Sequence, residues 1–97
     1  MKIVWTEHAL NCLIEIEEFI ARDDPAAAVF LVETLIERTE LLKDYPEAGR
    51  RVPELPKSSL REIIEGNYRI VYRVQQQVVE ILMVFESHRQ YFMPSDS

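Results

Sequence analysis

The apolar residues of this chain change their spacing about halfway along it. From Ala9 to Leu42 they recur every three or four residues, which is the period of an amphipathic helix. From Leu60 to Phe85 they alternate with polar residues or form short apolar runs, as strands do. Because helices and strands are segregated along the sequence, we expect an α+β fold with a helical hairpin on one face of a mainly antiparallel sheet. The 97 residues suffice for a single domain, 1–97, with residues 94–97 as a loose tail.

Two helices are predicted, and each has a recognisable start. Lys2–Trp5 is a short β-like run, and Thr6 after it is placed to cap the first helix. Asp24 is a good N-cap residue and Pro25 a good first residue for a second helix that runs to about Leu42. The tight turn between the two helices makes them antiparallel. The side chains predicted to face inward are Ala9, Leu10, Cys12, Leu13, Ile14, Ile16, Phe19 and Ile20 from the first helix, and Ala28, Leu31, Val32, Leu35, Ile36 and Leu42 from the second.

Three strands are predicted after a long connection. The connection, Pro46–Ser59, is long for a compact domain, and loops of this length are often functional. The predicted strands are Leu60–Glu65, Tyr68–Val74 and Val78–Phe85, and Gly66–Asn67 reads as a two-residue turn between the first two. The predicted order is therefore β-α-α-β-β-β, in which the last three strands form an antiparallel meander.

The predicted turn determines which side chains share a face of the sheet. A two-residue turn pairs Ile64 with Arg69 and Arg61 with Tyr72. Because side chains alternate along a strand, Arg61 and Arg69 would then face opposite sides. A bulge or a longer turn would bring the two arginines together, and the sequence leaves both arrangements open.

The charge of the chain is negative and unevenly distributed. A net charge of −6 argues against a protein that grips nucleic acid over its whole surface, and we expect no direct DNA binding by this chain alone. Residues 1–49 hold four basic and eleven acidic side chains, whereas residues 50–97 hold seven basic and six acidic ones. This asymmetry indicates a working surface in the second half, although two helices with solvated acidic faces would produce the same imbalance.

The cysteine and histidine content limits the chemistry and the compartment. The single cysteine, Cys12, cannot form an internal disulfide, which fits a reducing compartment, and we expect the cytoplasm. Cys12 lies on the apolar stripe, so we interpret it as an inert core residue. One cysteine and two separated histidines predict no metal site, and no phosphate-binding glycine loop or other cofactor motif is present. The longest apolar run, Ile81–Phe85, is far shorter than the roughly 20 residues that span a bilayer, and no signal-peptide pattern opens the sequence.

Five strings of the sequence, in this order, resemble the RelE/ParE toxin superfamily. They are VWTEHAL at the first strand and helix start, FIARDDPAAA at the turn between the helices, LLKDYPEAGRRVPEL, LREIIEGNYRIVYRV at the central hairpin and VVEILMVFESHR at the last strand. The resemblance extends over about 90 of the 97 residues. It implies the toxin of a type II toxin–antitoxin pair, held silent by a cognate antitoxin whose C-terminal segment wraps it. RelE-like members resemble ribosome-dependent mRNA endonucleases, whereas ParE-like members resemble non-enzymatic inhibitors of DNA gyrase.

RNA cleavage by its own 2′-hydroxyl requires a base, a cation beside the phosphorane and an acid for the leaving oxygen. Arginine suits the cationic role because its planar fork matches phosphate and stays charged. The candidates for phosphate contact are Arg51, Arg61, Arg69 and Arg89, and His88 is the candidate for proton transfer. By resemblance, Arg69 and Arg89 stand where nucleolytic relatives carry two arginines.

Three departures from the nuclease pattern decide between the mechanisms. Ile63 stands where RelE-like nucleases carry a second basic residue on the strand, and Tyr91 follows Arg89 too closely to match their tyrosine. The net charge of −6 is also opposite to the basic surface that docking on ribosomal RNA demands. The resemblance is therefore ParE-like, and the expected function is a non-enzymatic growth inhibitor that binds DNA gyrase. A ribosome-dependent mRNA endonuclease using Arg61, Arg69, His88 and Arg89, and an inactive member that only binds antitoxin, are the alternatives.

The same basic residues are candidates for binding without catalysis. Those expected to contact the target or the antitoxin are Arg50, Arg51, Arg61, Arg69 and Arg89. Arg50 and Arg51 could equally be solvated loop charge, and His88 an ordinary surface histidine. Glu62 and Arg73 could form a cross-strand ion pair of small energetic weight.

Overall fold

A computed structural model describes residues 1–87 and confirms the predicted α+β class. Two helices of 15 and 16 residues form a hairpin that precedes the main strands, and the strands form one mixed sheet. The elements are β1 (Lys2–Trp5), α1 (Glu7–Ala21), α2 (Pro25–Glu40), β2 (Arg50–Arg51), β3 (Arg61–Glu65), β4 (Tyr68–Gln75) and β5 (Val78–Glu86). The two-residue strand β2, inside the long connection, is the one element that the periodicity of the sequence does not predict.

Both helices begin at the predicted caps. The Thr6 side chain accepts a hydrogen bond from the backbone N–H of Ala9 at 3.1 Å, and Asp24 accepts one from Ala27 at 3.1 Å. These bonds satisfy N–H groups that have no partner in the first turn of a helix. The second helix ends at Glu40 and continues as a single 3-10 turn, Leu41–Lys43, close to the predicted end.

The five strands lie in the order β1-β5-β4-β3-β2, with β1 parallel to β5 and the other neighbours antiparallel. Gly66 has a φ of 57°, a left-handed value suited to the first position of a two-residue turn. The register across this turn is the predicted one, in which Ile64 pairs with Arg69 and Arg61 with Tyr72. Arg61 and Arg69 therefore project from opposite faces of the sheet.

Apolar side chains pack on both faces of the sheet. The face under the helices carries a buried cluster of Ala9, Leu13, Leu35, Leu42, Ile63, Ile70, Tyr72, Val79, Ile81 and Val84. The opposite face carries a smaller cluster of Val52, Leu60, Val71, Met83 and Phe85. An irregularity between β4 and β5 pairs Val71 with Met83 but Tyr72 with Ile81, which leaves Leu82 as an extra residue. This bulge lets β5 supply Ile81 to the first cluster and Met83 to the second.

We call residues 46–59 the covering loop, because it lies over the second face of the sheet. Val52 is fully buried in the smaller cluster, and Leu55 packs against it. Two successive turns support the loop: the N–H of Leu55 donates to the Val52 carbonyl, and that of Ser58 to the Leu55 carbonyl, both at 3.0 Å. The long connection is thus a packed wall of the second core.

Several helical side chains predicted to face inward are exposed. The prediction is wrong for Leu10, Ile14 and Phe19 on α1, which are 47%, 51% and 58% exposed, and for Ile36 on α2. Each helix rests on the sheet along a narrow stripe, so the widened apolar face of each is left at the surface. Cys12 is half-buried, and desolvation raises the pKa of its thiol, as expected for an inert residue.

Tyr72 joins the covering loop to the sheet through its buried hydroxyl group. That hydroxyl donates to the Pro46 carbonyl at 2.8 Å and accepts from the Gly49 N–H at 2.9 Å. A Cβ at Gly49 would lie 2.5 Å from the Glu62 carbonyl oxygen and 2.7 Å from the Tyr72 ring. Only glycine allows the loop to approach this closely, and burial raises the pKa of the Tyr72 phenol.

We predict that Tyr72→Phe lowers the free energy of unfolding by about 1–3 kcal/mol, because it leaves a buried N–H and a carbonyl without their partner. Urea denaturation of the two proteins measures the difference. Tyr45→Phe is the matched control, because Tyr45 is 63% exposed and should change stability by less than about 0.5 kcal/mol. Equal stabilities of Tyr72→Phe and the unmodified chain would contradict this role of the hydroxyl.

Candidate functional site: an arginine–carboxylate cluster

Strands β3 and β4 place a buried ion pair on the face of the sheet beneath the covering loop. The Arg69 Nε donates to Glu62 Oε1 at 2.7 Å, and both residues are buried, at 7% and 1% exposure. Glu62 lies opposite Val71, so Arg69 and Arg73 are its two diagonal neighbours on β4. The predicted Glu62–Arg73 pair is wrong, because Glu62 takes Arg69 and Arg73 pairs with Glu80 on β5 at 2.9 Å.

Glu62 also binds Arg50 on the edge strand β2. The Arg50 Nε and a terminal nitrogen both lie 2.7 Å from Glu62 Oε2. Each oxygen of the fully buried Glu62 carboxylate therefore receives its own arginine. This arrangement supplies the two cations and the hydrogen bonds that a buried carboxylate needs to remain charged.

Glu54 closes the cluster from the covering loop. Its two carboxylate oxygens accept from the two terminal nitrogens of Arg69 at 2.6 and 2.7 Å, a bidentate fork. These hydrogen bonds lower the pKa of Glu54 to about 2, and they raise the pKa of the Arg69 guanidinium above its ordinary value. The Arg69 guanidinium carbon also lies 5.2 Å from the centre of the Phe85 ring, a cation–π contact.

Arg61 and Arg51 stand apart from this cluster. Arg61 projects toward the opposite face, donates to the Gly49 carbonyl at 2.8 Å and lies 3.6 Å from the exposed Glu47 carboxylate. Arg51 donates to the Ser58 carbonyl at 2.8 Å. Arg61 therefore holds the covering loop against β3, whereas the Arg51 bond lies within the loop.

The sequence-predicted site residues are only partly brought together. Arg50 and Arg69 share Glu62, Arg61 lies on the other face, and Arg51 bonds a loop carbonyl. His88 and Arg89 lie outside the described residues. Glu54 has no role among the sequence-based predictions, and Glu62 pairs with Arg69 and not with the predicted Arg73. A carboxylate at an inward-facing strand position was a signal for Glu62, whereas nothing in the sequence placed Glu54 over Arg69.

A groove of about 470 Å³ runs between α1 and the end of β5. Its apolar floor includes Ile16, Phe19 and Met83, and its rim carries Glu15 and Glu18.

Within residues 1–87, no group of histidine, cysteine, aspartate and glutamate side chains could hold a metal ion. No helix in that part of the chain is long and apolar enough to cross a membrane.

Comparison with known proteins identifies the family. The protein-family model for the ParE toxin of the type II toxin–antitoxin system parDE matches residues 3–91. The chain belongs to the ParE toxin family. It is 39% identical to the toxin Y4kP of Sinorhizobium fredii over 92 residues. This alignment covers 93% of this chain and 92% of Y4kP. It is 33% identical to Toxin RelE2 of Caulobacter vibrioides, covering 91% of this chain and 97% of that one.

Solved structures share the ParE fold. A chain of the chromosomal ParDE TA system from P. aeruginosa superposes with a TM-score of 0.75 at 23% identity, covering 89% of this chain and 95% of that one. The YoeB/ParE toxin from Agrobacterium tumefaciens gives a TM-score of 0.59 at 24% identity, covering 89% and 98%. This ParE-family chain is therefore a RelE/ParE superfamily toxin of a type II toxin–antitoxin system, and its family implies an antitoxin partner.

We predict that Arg69→Ala lowers the free energy of unfolding by about 3 kcal/mol, because it leaves the buried Glu62 with only Arg50 as a cation. Arg73→Ala is the matched control, since the partly exposed Arg73–Glu80 pair should contribute about 0–1 kcal/mol. Chemical denaturation of both variants measures the difference. Similar losses for the two arginines would show that burial of the Glu62 pair has no special weight.

The depressed pKa of Glu54 predicts how its contribution varies with pH. The folded-state pKa of about 2 lies below the ordinary value of 4.5, so the stabilisation by Glu54 is fully present above about pH 4.5. It is lost as the pH falls through the folded-state pKa of about 2, because below that pH the carboxylate is protonated in both folded and unfolded chains. The stability difference between the unmodified protein and Glu54→Gln should therefore shrink between pH 4.5 and 2. A difference independent of pH over that interval would contradict the charge-based account.

Proposed function

We propose that this toxin inhibits growth by binding its target rather than by cutting RNA, and that the target is DNA gyrase. The observation that carries the proposal is that carboxylates already bind the guanidinium of Arg69. By the nuclease resemblance, this is the described arginine that would contact the RNA phosphate. Its guanidinium is neutralised by Glu62 and Glu54 within hydrogen-bond distance. A phosphorane is stabilised by hydrogen-bond donors that point at its developing negative charge. It therefore needs a cation whose donors are not already bound to carboxylates.

The other described candidates support the same proposal. Arg61 lies on the opposite face from Arg69, so the two cannot converge on one phosphate across the sheet. Ile63, at the position where nucleases carry a basic residue, is 5% exposed and packs under the helices. The net charge of −6 gives little attraction to ribosomal RNA. Binding inhibition requires none of these convergent cations.

The antitoxin that the family implies has an apolar surface to cover on the helical hairpin. The exposed apolar side chains there are Leu10, Ile14, Phe19, Val29, Phe30 and Ile36, with Phe30 72% exposed. Exposed apolar patches mark protein-binding surfaces, and an amphipathic segment laid across two helices would bury this one. Arg50, whose side chain is 61% exposed, is available at the sheet edge for an acidic part of the antitoxin. Action on gyrase would place the protein in the cytoplasm.

A ribosome-dependent mRNA endonuclease is the second candidate function. The observation that favours it is the 33% identity to a relative named Toxin RelE2. In that case His88 and Arg89, beyond the described residues, would supply the proton transfer and the cation that the Arg69 cluster does not.

The deciding experiment compares gyrase and transcripts with the same purified toxin. We expect inhibition of DNA supercoiling by purified gyrase, and intact transcripts by primer extension in cells arrested by the toxin. Full supercoiling with a large molar excess of toxin, together with early cuts at the ribosomal A site, would establish the endonuclease instead. Full supercoiling and intact transcripts would leave an inactive family member that only binds antitoxin.

A charge-reversal pair tests which surface meets gyrase. We expect Arg89→Glu to weaken inhibition about tenfold or more, because loss of one interfacial charge pair costs about 1.4 kcal/mol or more. Arg22→Glu, at the exposed end of α1, changes the net charge equally and should leave inhibition unchanged. Circular dichroism confirms that both variants are folded, and rescue by antitoxin shows that its binding surface is intact. If both substitutions weakened inhibition equally, the loss of inhibition would follow from the change in net charge and not from a contact of Arg89.

A further inference from the structure

The guanidinium of Arg69 is positioned by Glu62 and Phe85. Glu62 binds its Nε edge at 2.7 Å, and the Phe85 ring lies against it with 5.2 Å between the ring centre and the guanidinium carbon. The remaining edge, formed by the two terminal nitrogens, points toward the covering loop and meets Glu54. The donors on this edge are thus preorganised, which reduces the entropy that a ligand must give up on binding.

The two carboxylates that neutralise Arg69 differ in how easily they can leave. The Glu62 side chain is 0% exposed and lies on β3, between β4 and β2, where it also binds Arg50. The Glu54 side chain is 52% exposed and comes from the loop, so a change of its rotamer alone would uncover the terminal nitrogens of Arg69. Glu54 is therefore the member of the cluster that another anion can replace.

The charges of the cluster define what that anion is. Arg50 and Arg69 carry two positive charges, and Glu62 and Glu54 carry two negative ones. Without Glu54 the cluster of Arg50, Arg69 and Glu62 has a single net positive charge, and Arg50 is its exposed member. That charge matches one carboxylate, and the two terminal nitrogens already hold the two oxygens of the Glu54 carboxylate at 2.6 and 2.7 Å.

We propose that the terminal nitrogens of Arg69 form a binding site for a carboxylate side chain of a partner protein, and that Glu54 occupies this site in the free chain. An intramolecular carboxylate competes at an effective concentration of about millimolar or higher, so a free small anion cannot displace it. An acidic peptide can, because it also engages Arg50, which is 61% exposed beside the same cluster. The site does not depend on gyrase being the target.

The test uses a hexaglutamate peptide and inorganic phosphate as probes, and the full-length protein. The Arg69 Nε–H signal in proton–nitrogen NMR, identified by its loss in Arg69→Lys, reports binding. In Glu54→Ala we expect the peptide to shift this signal saturably, with an apparent Kd about tenfold or more below that of the unmodified protein. The Arg73 Nε–H, paired with Glu80, should not move and serves as an internal reference.

Glu47→Ala is the matched control, because Glu47 is an exposed carboxylate of the same loop that lies 3.6 Å from Arg61. It changes the net charge equally and should bind the peptide no better than the unmodified protein. Equal binding by Glu54→Ala and Glu47→Ala would overturn the proposal, and binding of phosphate but not peptide would overturn the carboxylate assignment. If Glu54→Ala does not fold, Glu54→Gln preserves the shape of the side chain without its charge, and the same comparison with Glu47→Gln applies.

Discussion

A buried carboxylate controls the second face of this sheet. Glu62 has no exposed side-chain surface, and a charged group in that position is tolerated only with cations and hydrogen bonds around it. Arg69 and Arg50 meet that requirement from two different strands, so Glu62 links the central hairpin to the short edge strand β2. Glu54 then balances the remaining charge from the covering loop, which lies over the smaller apolar cluster. The loop, the edge strand and the hairpin are thus held by one set of charges.

The same charges limit the chemistry that the sheet can perform. An arginine with two carboxylates at hydrogen-bond distance has its donors committed, and its positive charge is not available to a phosphate without a rearrangement. Phosphate binding by such an arginine requires either that these carboxylates be absent or that one of them be displaced. Because one fold can serve several functions, the surroundings of Arg69, and not the fold, determine what this arginine can bind.

The fold could be predicted from the sequence where local rules act alone. Thr6 and Asp24 cap helices through hydrogen bonds within three residues, and the turn at Gly66 sets the register of its hairpin, so both were correct. The exposure of Leu10 was not predictable, because the width of an apolar stripe does not tell how much of it a neighbour covers.

The partners in the candidate site were even less predictable. Glu62 has two arginines as diagonal neighbours on β4, and the choice between Arg69 and Arg73 depends on where Glu54 and Glu80 lie. The position of Glu54 in turn depends on how the covering loop packs, through Val52 and Leu55, on the smaller cluster. Such long-range packing has no signature in the spacing of residues along the chain.

The parallel pairing of β1 with β5 has a consequence for how the toxin is made. Lys2 lies beside Val78 and Trp5 beside Ile81, so the first strand of the sheet has its only neighbour among the described strands in the last one to be synthesised. The first helix likewise packs on β5, and contacts between such distant segments form late because the intervening chain must first be closed into a loop. A nascent chain that has not yet released β5 from the ribosome has no completed sheet. The sheet is thus completed only after β5 has been synthesised, and a chain that stops before Val78 lacks the strand that joins β1 to β4.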